Sequence, residues 1–561
     1  MKKIISLFLA VCMTFLLIAP VSAAAGDDYN VPTILIRGDG SSLSDSEGNL
    51  IWPIEIGSEE EKQEIIDAIV NVVLPYWPIG LIKDDWTGFC DALYDAVFLI
   101  FKDTLLDGNG EPVVKGSGLS PEYQQENETM RFIDVKAHWG QQRYYYEDYT
   151  FNYDFRLSPF EVMDDLHTYI KDVMATTGAT KVNIVGRCLG GGFVMTYLDY
   201  YLDKINNEGM APYIKNVMFD CVVSNDCDPL TDAFRGKIDL DSDALARFLN
   251  EFVDDDDSVI SGFMDMTPFL NEVILTSYNL FNELGVLDDV LITPFEEVYA
   301  DIYGDLVPRL ISAVMGTWPG YWTAVDPDHY EEARDFVYGE EGSEKRQGNE
   351  GLVAKLDKYH YEVASQRNAI LDECKALGVH FGAVAKYGYQ LFPFVESQNQ
   401  LADQYVTLES SSFGATTALI GETLSEDYIA SRVELGFADY ISADKQVDLS
   451  TSVLKDTTWI IKNAVHGAWG AEDAIVNNFC WGTSVSTLND TRIARFTVYD
   501  DKTETISTMT EENCGISQWE DVNQNKNDAT LWTKLAALMR WLTAMLKFIM
   551  GLAENPGSLA A

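Results

Sequence analysis

The sequence predicts an α/β protein whose mostly parallel β-sheet is covered by helices on both faces. Short apolar, β-favouring runs alternate with amphipathic segments of helical length in the first part of the chain, and the alternation resumes near its end. Between these parts, residues 225–375 read almost wholly as helices and loops. The simplest architecture is therefore a sheet core that is interrupted by an inserted helical cap.

This interpretation divides the chain into five parts. Residues 1–25 form a signal peptide, 26–224 and 376–520 form the two parts of the core, 225–375 form the cap or lid, and 521–561 form a polar linker and an amphipathic C-terminal helix. The first part has two lysines, an apolar run and the small-residue stretch "APVSAAAG", which is the pattern of a secretory leader. The protein is therefore expected to be secreted to the extracellular space.

The elements of the first part can be placed in order. Helical character is expected from Glu60 to Leu106, and strands are expected at Thr33–Ile36 and Phe151–Phe155. A helix from Pro159 to Thr176 follows. Its apolar residues recur at helical spacing: Val162, Leu166, Ile170 and Val173.

Later elements complete the predicted sheet. Strands are expected at Val182–Val185, Asn216–Val223 and Val379–Tyr387, and a further strand within Thr457–Gly467. A helix from Gly191 to about Ile205 separates the first two of these strands. Inside the inserted region, aromatic residues beside glycine and proline at 263–270 and 318–322 are expected to line the entrance to a site.

The charge of the chain limits its partners. The sequence has 39 Lys and Arg against 89 Asp and Glu, which gives a formal net charge of −50. Such a charge opposes binding to nucleic acid and attraction to anionic membranes. It favours solubility, and it suits a neutral or cationic substrate.

Cysteines are the other compositional feature of note. Seven follow the leader, and an odd number in a secreted chain leaves at least one thiol that is free or pairs between chains. None belongs to a C-x-x-C pair and no histidine cluster accompanies them, so we expect neither a zinc site nor any other metal or cofactor. A local bridge between Cys221 and Cys227 is left open by the sequence.

The stretch "KVNIVGRCLGGGF", residues 181–193, has the form of a nucleophile elbow with Cys188 at its centre. The usual pattern is G-x-S-x-G after a strand and before a helix, and Gly186 and Gly190 supply the small neighbours that the strained turn needs. A thiol at the N-terminus of a helix is stabilised as the thiolate. The backbone N–H of Leu189 is one expected oxyanion donor, and Asp39 or Gly40 in the turn after the first strand is expected to supply the second.

The general base should be a histidine that follows a late strand. His466, in "IIKNAVHGAWG", has this position among the six histidines of the chain. Two aspartates are candidates for the acid that orients its imidazole. They are Asp403 in "ADQYVTLESSSFGA" and Asp444 in "SADKQVDLSTS". Each begins a D-x-x-V stretch that precedes serines.

Several stretches together resemble the lecithin:cholesterol acyltransferase-like and lipase branch of the α/β hydrolases. They are "PTILIRGDGSSL", "YDFRLSP", "KVNIVGRCLGGGFVMTYL" and "NAVHGAW". The resemblance implies an α/β-hydrolase fold with an eight-stranded sheet, a cap over the site, and ester hydrolysis or acyl transfer on lipids. The loop at Asp403 looks like the acid loop of bacterial lipases, which favours this aspartate over Asp444.

The chain departs from that branch at two positions: Arg37 stands where His or Pro is usual, and Cys188 replaces Ser. "GRCLGG" is similar instead to the elbow of dienelactone hydrolases and polyhydroxyalkanoate synthases, which use a Cys nucleophile. The resulting hypothesis is a Cys-His-Asp hydrolase that acts on acyl, lipid-like esters through a thioacyl-enzyme. An O-acyltransferase with the same triad and a catalytically silent binding protein of the same fold are the alternatives.

The C-terminal tail ends in an apolar helical stretch at 531–552. Three cations interrupt it, which disfavours a membrane span. The sequence leaves two interpretations of this helix open. Either the helix contacts a membrane surface, or it packs against the body of the protein or a second copy.

Overall fold

The computed structural model of the chain describes residues 31–38, 42–52, 85–116, 149–223, 227–238, 306–391, 395–468, 470–481 and 493–519, with the single positions 54, 68, 76, 244 and 393. Four predicted features lie outside these residues. They are the signal peptide, the turn residues Asp39 and Gly40, the aromatic stretch at 263–270 and the helix at 531–552.

The main sheet has eight strands, seven of them parallel, as the sequence predicts for an α/β fold. In spatial order they are β4 (Tyr149–Phe151), β1 (Thr33–Ile36), β5 (Val182–Arg187), β6 (Ile214–Asp220), β7 (His380–Tyr387), β12 (Thr458–Lys462), β13 (Phe496–Asp500) and β14 (Thr505–Thr508). Only β14 is antiparallel, at one edge. The order reverses at β1, which pairs with β4 on one side and β5 on the other. In a parallel sheet such a reversal opens a crevice beyond the carboxyl ends of the strands.

Three small antiparallel pairs accompany the sheet: β2 (Leu43–Ser44) with β3 (Leu50–Trp52), β8 (Tyr389–Gln390) with β9 (Leu401–Ala402), and β10 (Thr416–Thr417) with β11 (Val447–Asp448). The helices are α1 (Thr87–Phe101), α2 (Pro159–Thr177), α3 (Gly190–Glu208), α4 (Asp228–Phe234), α5 (Pro319–Trp322), α6 (Tyr330–Tyr338), α7 (Glu350–Glu362), α8 (Arg367–Ala376), α9 (Leu408–Ser411), α10 (Glu426–Glu434) and α11 (Asp473–Trp481). Residues 306–314 are also helical.

Helices cover both faces of the sheet, and the alternation of strand side chains shows how. In β1, Ile34 and Ile36 pack into the core that α2, α3 and α8 share, whereas Leu35 packs with the residues of α11 on the other face. All three are fully buried. A parallel strand of this kind is apolar on both sides, and that is why it reads as a continuous apolar run in the sequence.

Helix α2 shows how local signals set the bounds of an element. It begins at Pro159, where Ser158 is the N-cap and its backbone N–H donates to Glu161 at 3.0 Å. Proline suits the first turn, since that turn lacks a partner for the N–H. The helix ends at Gly178 in the left-handed conformation with φ of 71°.

Two predicted strand boundaries were wrong. β4 ends at Phe151 instead of Phe155, because Asp154 and Arg156 form a buried ion pair at 2.7 Å that closes a turn into α2. β6 ends at Asp220 instead of Val223, because Cys221 takes φ of 48° and leaves the strand conformation.

Between β6 and β7 the described residues form helices and irregular segments, and the last helix, α8, packs against α3 in the layer that covers the sheet. The segment 318–322 is buried: Trp318 and Trp322 are each 1% exposed. Trp318 packs edge-on against Trp52 and Phe155. The indoles of Trp318 and Trp322 therefore belong to the buried aromatic core. They are not available to line the entrance to a site, contrary to the prediction from the sequence.

Among the described helices, none combines the length and the apolar character that crossing a bilayer would require.

Candidate active site

Three of the residues predicted from the sequence lie beyond the carboxyl ends of the parallel strands β5, β7 and β12. Cys188 directly follows β5, Asp403 follows β9 in the connection after β7, and His466 lies in the loop after β12. Each therefore comes from a different loop at the same edge of the sheet. Their order along the chain is Cys188, Asp403 and then His466, which is the order expected for a nucleophile, an acid and a base.

Cys188 lies in a strained strand-to-helix turn. Its φ is +53°, a value that residues with a Cβ rarely adopt. The turn is held because the Cys188 N–H donates to the Asp220 carbonyl at 3.3 Å, and the Cys188 carbonyl accepts from Gly191 at 3.1 Å and from Val223 at 3.3 Å. The backbone thus presents the thiol, which is partly buried, at the start of α3.

A side chain cannot be accommodated at Gly190, two residues after the cysteine. A Cβ there would lie 2.2 Å from the carbonyl oxygen of Ile36 in β1. The glycine expected from the elbow pattern is thus required for the close packing of α3 on the sheet.

The loop after β1 runs against the backbone N–H that is the predicted oxyanion donor. A Cβ on Gly38 would lie 2.8 Å from the Leu189 nitrogen and 3.3 Å from the Cys188 Cβ. Gly38 therefore keeps the space beside Leu189 N–H open. The predicted second donors, Asp39 and Gly40, lie outside the described residues.

His466 and Asp403 are joined twice. The imidazole Nδ1 of His466 donates to Oδ2 of Asp403 at 2.8 Å, and its backbone N–H donates to the Asp403 carbonyl at 2.8 Å. The carboxylate is fully buried, and its Oδ1 accepts from the backbone N–H groups of Tyr405 at 3.2 Å and Val406 at 2.8 Å. Both carboxylate oxygens are thus engaged and the imidazole orientation is fixed.

Asp444, the second candidate for the acid, has other partners. It pairs with Lys462 at 2.6 Å and accepts hydrogen bonds from Tyr387 and Ser442, each at 2.5 Å. These contacts place its carboxylate in a buried network with Lys462. Of the two aspartates, Asp403 is the one that contacts His466.

The electrostatics of His466 favour a protonated imidazole. Burial by itself lowers the pKa of His466, but the charges of Asp403 and Cys188 and hydrogen bonds with both raise it well above its ordinary value. Nδ1 is directed to the carboxylate, which leaves Nε2 as the ring nitrogen that can interact with Cys188. A protonated imidazole between the cysteine sulfur and a carboxylate can deliver its proton to a leaving group and recover it afterwards.

The other described histidines take different positions. His360 is buried and its Nε2 donates to the Trp322 carbonyl at 2.9 Å, while its ring stacks on Tyr330 at 3.7 Å. His167 is hydrogen-bonded to tyrosine hydroxyls on α3 and before β6. His329 and His380 lie at the start of α6 and of β7, and His138 is outside the described residues.

The described cysteines are thiols and not disulfides, and this includes Cys221 and Cys227, for which a local bridge was considered. Within the described part of the chain, His, Cys, Asp and Glu side chains form no group of three or more that could hold a metal ion.

Sequence reasoning missed a set of charged residues beneath the site: Arg187, Asp220, Lys386 and Glu472. Each of the first three stands at or near the end of an otherwise apolar strand, in "IVGR", "VMFD" and "GAVAKY". A charge inside a buried strand is costly unless it is paired. A charged residue at the end of an apolar strand was therefore the signal that the sequence contained. This signal does not show which of the charges pair with one another.

No protein-family model matches this sequence, and neither a curated protein nor a solved structure matches it.

Proposed function

We propose that the protein is a secreted α/β-hydrolase that cleaves acyl, lipid-like esters, with Cys188 as nucleophile, His466 as acid and base, and Asp403 as the orienting acid. The observation that carries this proposal is the continuous relay from Cys188 through His466 to Asp403. It combines a nucleophile in a strained turn at a helix N-terminus with an imidazole whose pKa is raised by both neighbours. The strand order and the order of the three residues along the chain also suit this fold.

The reaction would proceed in two steps. The Cys188 thiolate attacks the ester carbonyl carbon, a C–S bond forms, and the C–O bond to the alcohol breaks as the leaving oxygen takes the Nε2 proton of His466. The backbone N–H of Leu189 donates to the oxyanion of the tetrahedral intermediate. Water then attacks the thioester carbon and gives a proton to His466, and the C–S bond breaks to release the carboxylic acid and restore the thiolate.

The substrate class rests on the resemblance to lipases. A neutral acyl ester would approach Cys188 without repulsion from the large negative charge of the chain.

The test is turnover of a panel of p-nitrophenyl esters of increasing acyl length, with and without reductant, by the wild type and Cys188→Ala. We expect turnover by the reduced wild type and none by the variant, with a thioester of the expected acyl mass on the Cys188 peptide. Turnover that rises when an alcohol is added, with ester as the product, would favour the O-acyltransferase. No thioester and no turnover with any ester would favour the silent binding protein.

A further inference from the structure

Four charged side chains form a buried network directly beneath the candidate site. Arg187 pairs with Asp220 at 2.8 Å and with Glu472 at 3.3 Å, and Glu472 also pairs with Lys386 at 2.9 Å. The side chains of Asp220, Lys386 and Glu472 are 0% exposed, and that of Arg187 is 6% exposed. The two cations and two anions balance, which lets the charges persist away from water.

Lys386 directs its ammonium group to the loop that carries His466. Besides Glu472 at 2.9 Å, its Nζ donates to the carbonyl of Ala468 at 3.0 Å and to that of His466 at 3.5 Å. All three acceptors belong to residues 466–472. An ammonium has three hydrogens, so Lys386 can donate to all three acceptors of this segment at once.

The same network reaches the nucleophile turn. Arg187 is the residue before Cys188, and the carbonyl of Asp220 accepts the Cys188 N–H. Glu472 therefore stands between two cations, one beside the nucleophile and one on the histidine loop. The histidine loop and the nucleophile turn are thereby connected to the same group of ion pairs, whose members lie at the ends of β5, β6 and β7 and at Glu472.

We propose that Lys386 and Glu472 are positioning residues, which hold the His466 loop at the distance from Cys188 that the thiolate–imidazolium pair needs. This proposal rests on the proposed function, since it assigns a role within the same site. The contacts of Lys386 and Glu472 given above are with backbone carbonyls and charged side chains, and not with the sulfur or the imidazole ring. Their effect would pass through the backbone of residues 466–472 and through Arg187.

A simpler role in stability would not require this arrangement. Well-packed apolar residues often replace a buried ion pair without loss of stability, so the pairing by itself is weak support for a stabilising purpose. The contact of Lys386 with the His466 carbonyl is buried and its contact with the Ala468 carbonyl is partly buried, and a methyl or methylene group in place of the ammonium would leave both carbonyls without that donor. The loop would then move to find other partners.

The test measures the rate at which iodoacetamide alkylates Cys188 as a function of pH, read by mass spectrometry on the Cys188 peptide so that other thiols do not contribute. This readout needs no ester substrate. In Lys386→Met we expect the rate at neutral pH to fall on the order of tenfold or more, toward that of His466→Ala, because a small displacement of a catalytic group has large kinetic effects. The rise in rate with pH should move to higher pH in both variants.

Lys462→Met is the matched control. Lys462 is also a buried lysine that pairs with a carboxylate. It lies on β12 opposite Tyr387, one position beyond Lys386, so it faces the opposite side of the sheet, where it contacts Asp444 instead of the histidine loop. We expect it to keep the wild-type pH profile. If Lys386→Met does not fold, the double variant Lys386→Met/Glu472→Gln decides, because it removes one charge of each sign and leaves Arg187 and Asp220 paired.

A wild-type profile in folded Lys386→Met or in the double variant, while His466→Ala is slow, would overturn the positioning role and leave the proposed function standing. An equal shift in Lys462→Met would also overturn it, since any buried lysine would then act alike. A wild-type profile in His466→Ala would overturn the thiolate–imidazolium site itself and the positioning role with it.

Discussion

His466 and Asp403 are 63 positions apart in the chain, and they are joined both by their side chains and by their backbones. The side-chain contact fixes which imidazole nitrogen carries a proton toward the acid, and the backbone contact fixes the distance between the two loops. An orienting acid is effective only when its partner cannot turn away. The double connection meets that condition.

The two candidate acids can be separated by a pair of amide variants. Asp403→Asn should lower kcat by about 10⁴-fold, because the amide no longer favours the imidazole tautomer or the imidazolium that catalysis needs. Asp444→Asn should instead lower the free energy of unfolding by about 3 kcal/mol or more, because it leaves the buried ammonium of Lys462 without its charged partner. Esterase kinetics and chemical denaturation of both variants measure this. A larger loss of kcat in Asp444→Asn than in Asp403→Asn would contradict the assignment.

Gly38→Ala should close the space beside the oxyanion donor. The added Cβ would lie 2.8 Å from the Leu189 nitrogen, so the loop after β1 or the nucleophile turn must shift. We expect kcat to fall by about 10²-fold, in the range for the loss of one oxyanion donor, with a smaller change in KM. Gly515→Ala is the control, because a Cβ there has no neighbour within 4 Å. Equal kinetics in the two variants would remove Gly38 from the site.

Cys188→Ser should retain only weak activity. Burial lowers the pKa of His466, but the charges of Asp403 and Cys188 raise it well above its ordinary value, so in the wild type the imidazole is poised as a proton donor. A serine hydroxyl needs a neutral imidazole to remove its proton first, and a strongly held imidazolium opposes that step. The measurement is kcat/KM for a p-nitrophenyl ester across pH 6 to 9. Activity equal to the wild type in the serine variant would mean that the site is suited to serine.

His360 should make the protein sensitive to acid. Burial, and to a smaller extent the charge of Arg334, lower its pKa to about 3, although the bond to the Trp322 carbonyl opposes the shift. Between pH 6.5 and 3 the unfolded histidine therefore binds a proton that the folded one does not, so stability falls as the pH falls through that window. The stability lost across the whole of this window is at most about 5 kcal/mol.

His360→Gln removes this titration and keeps a donor for the Trp322 carbonyl. Urea denaturation at pH 7 and pH 4.5 should show a smaller loss of stability in the variant than in the wild type. An equal loss in both proteins would mean that other groups cause the acid sensitivity.

Local pattern was sufficient to predict the strand, turn and helix around Cys188. A β-favouring run, G-x-C-x-G and a following helix are contiguous, and the close approaches at Gly190 are consequences of that unit. His466 could be placed for the same reason, because it directly follows an apolar strand. The strand ends were less predictable. β4 ends at Phe151 because Asp154 and Arg156 form a buried ion pair, and the hydrophobic periodicity of the sequence does not indicate such a pair.

The sequence by itself determined the alternation that makes a parallel sheet, the turn at Cys188 and two equivalent acid loops. Asp403 and Asp444 each open a D-x-x-V stretch, and each carboxylate accepts a hydrogen bond from a backbone N–H two or three residues later, at Val406 and Gln446. The pattern itself does not distinguish them, and the resemblance to lipase acid loops only favours Asp403. Only the tertiary structure decided between them, because β7 and β12 are neighbours and the loop that follows β7 meets the histidine loop at their common edge. The buried charges of Lys386 and Glu472 have the same origin: they can remain ionised only where packing brings opposite charges together from distant parts of the chain.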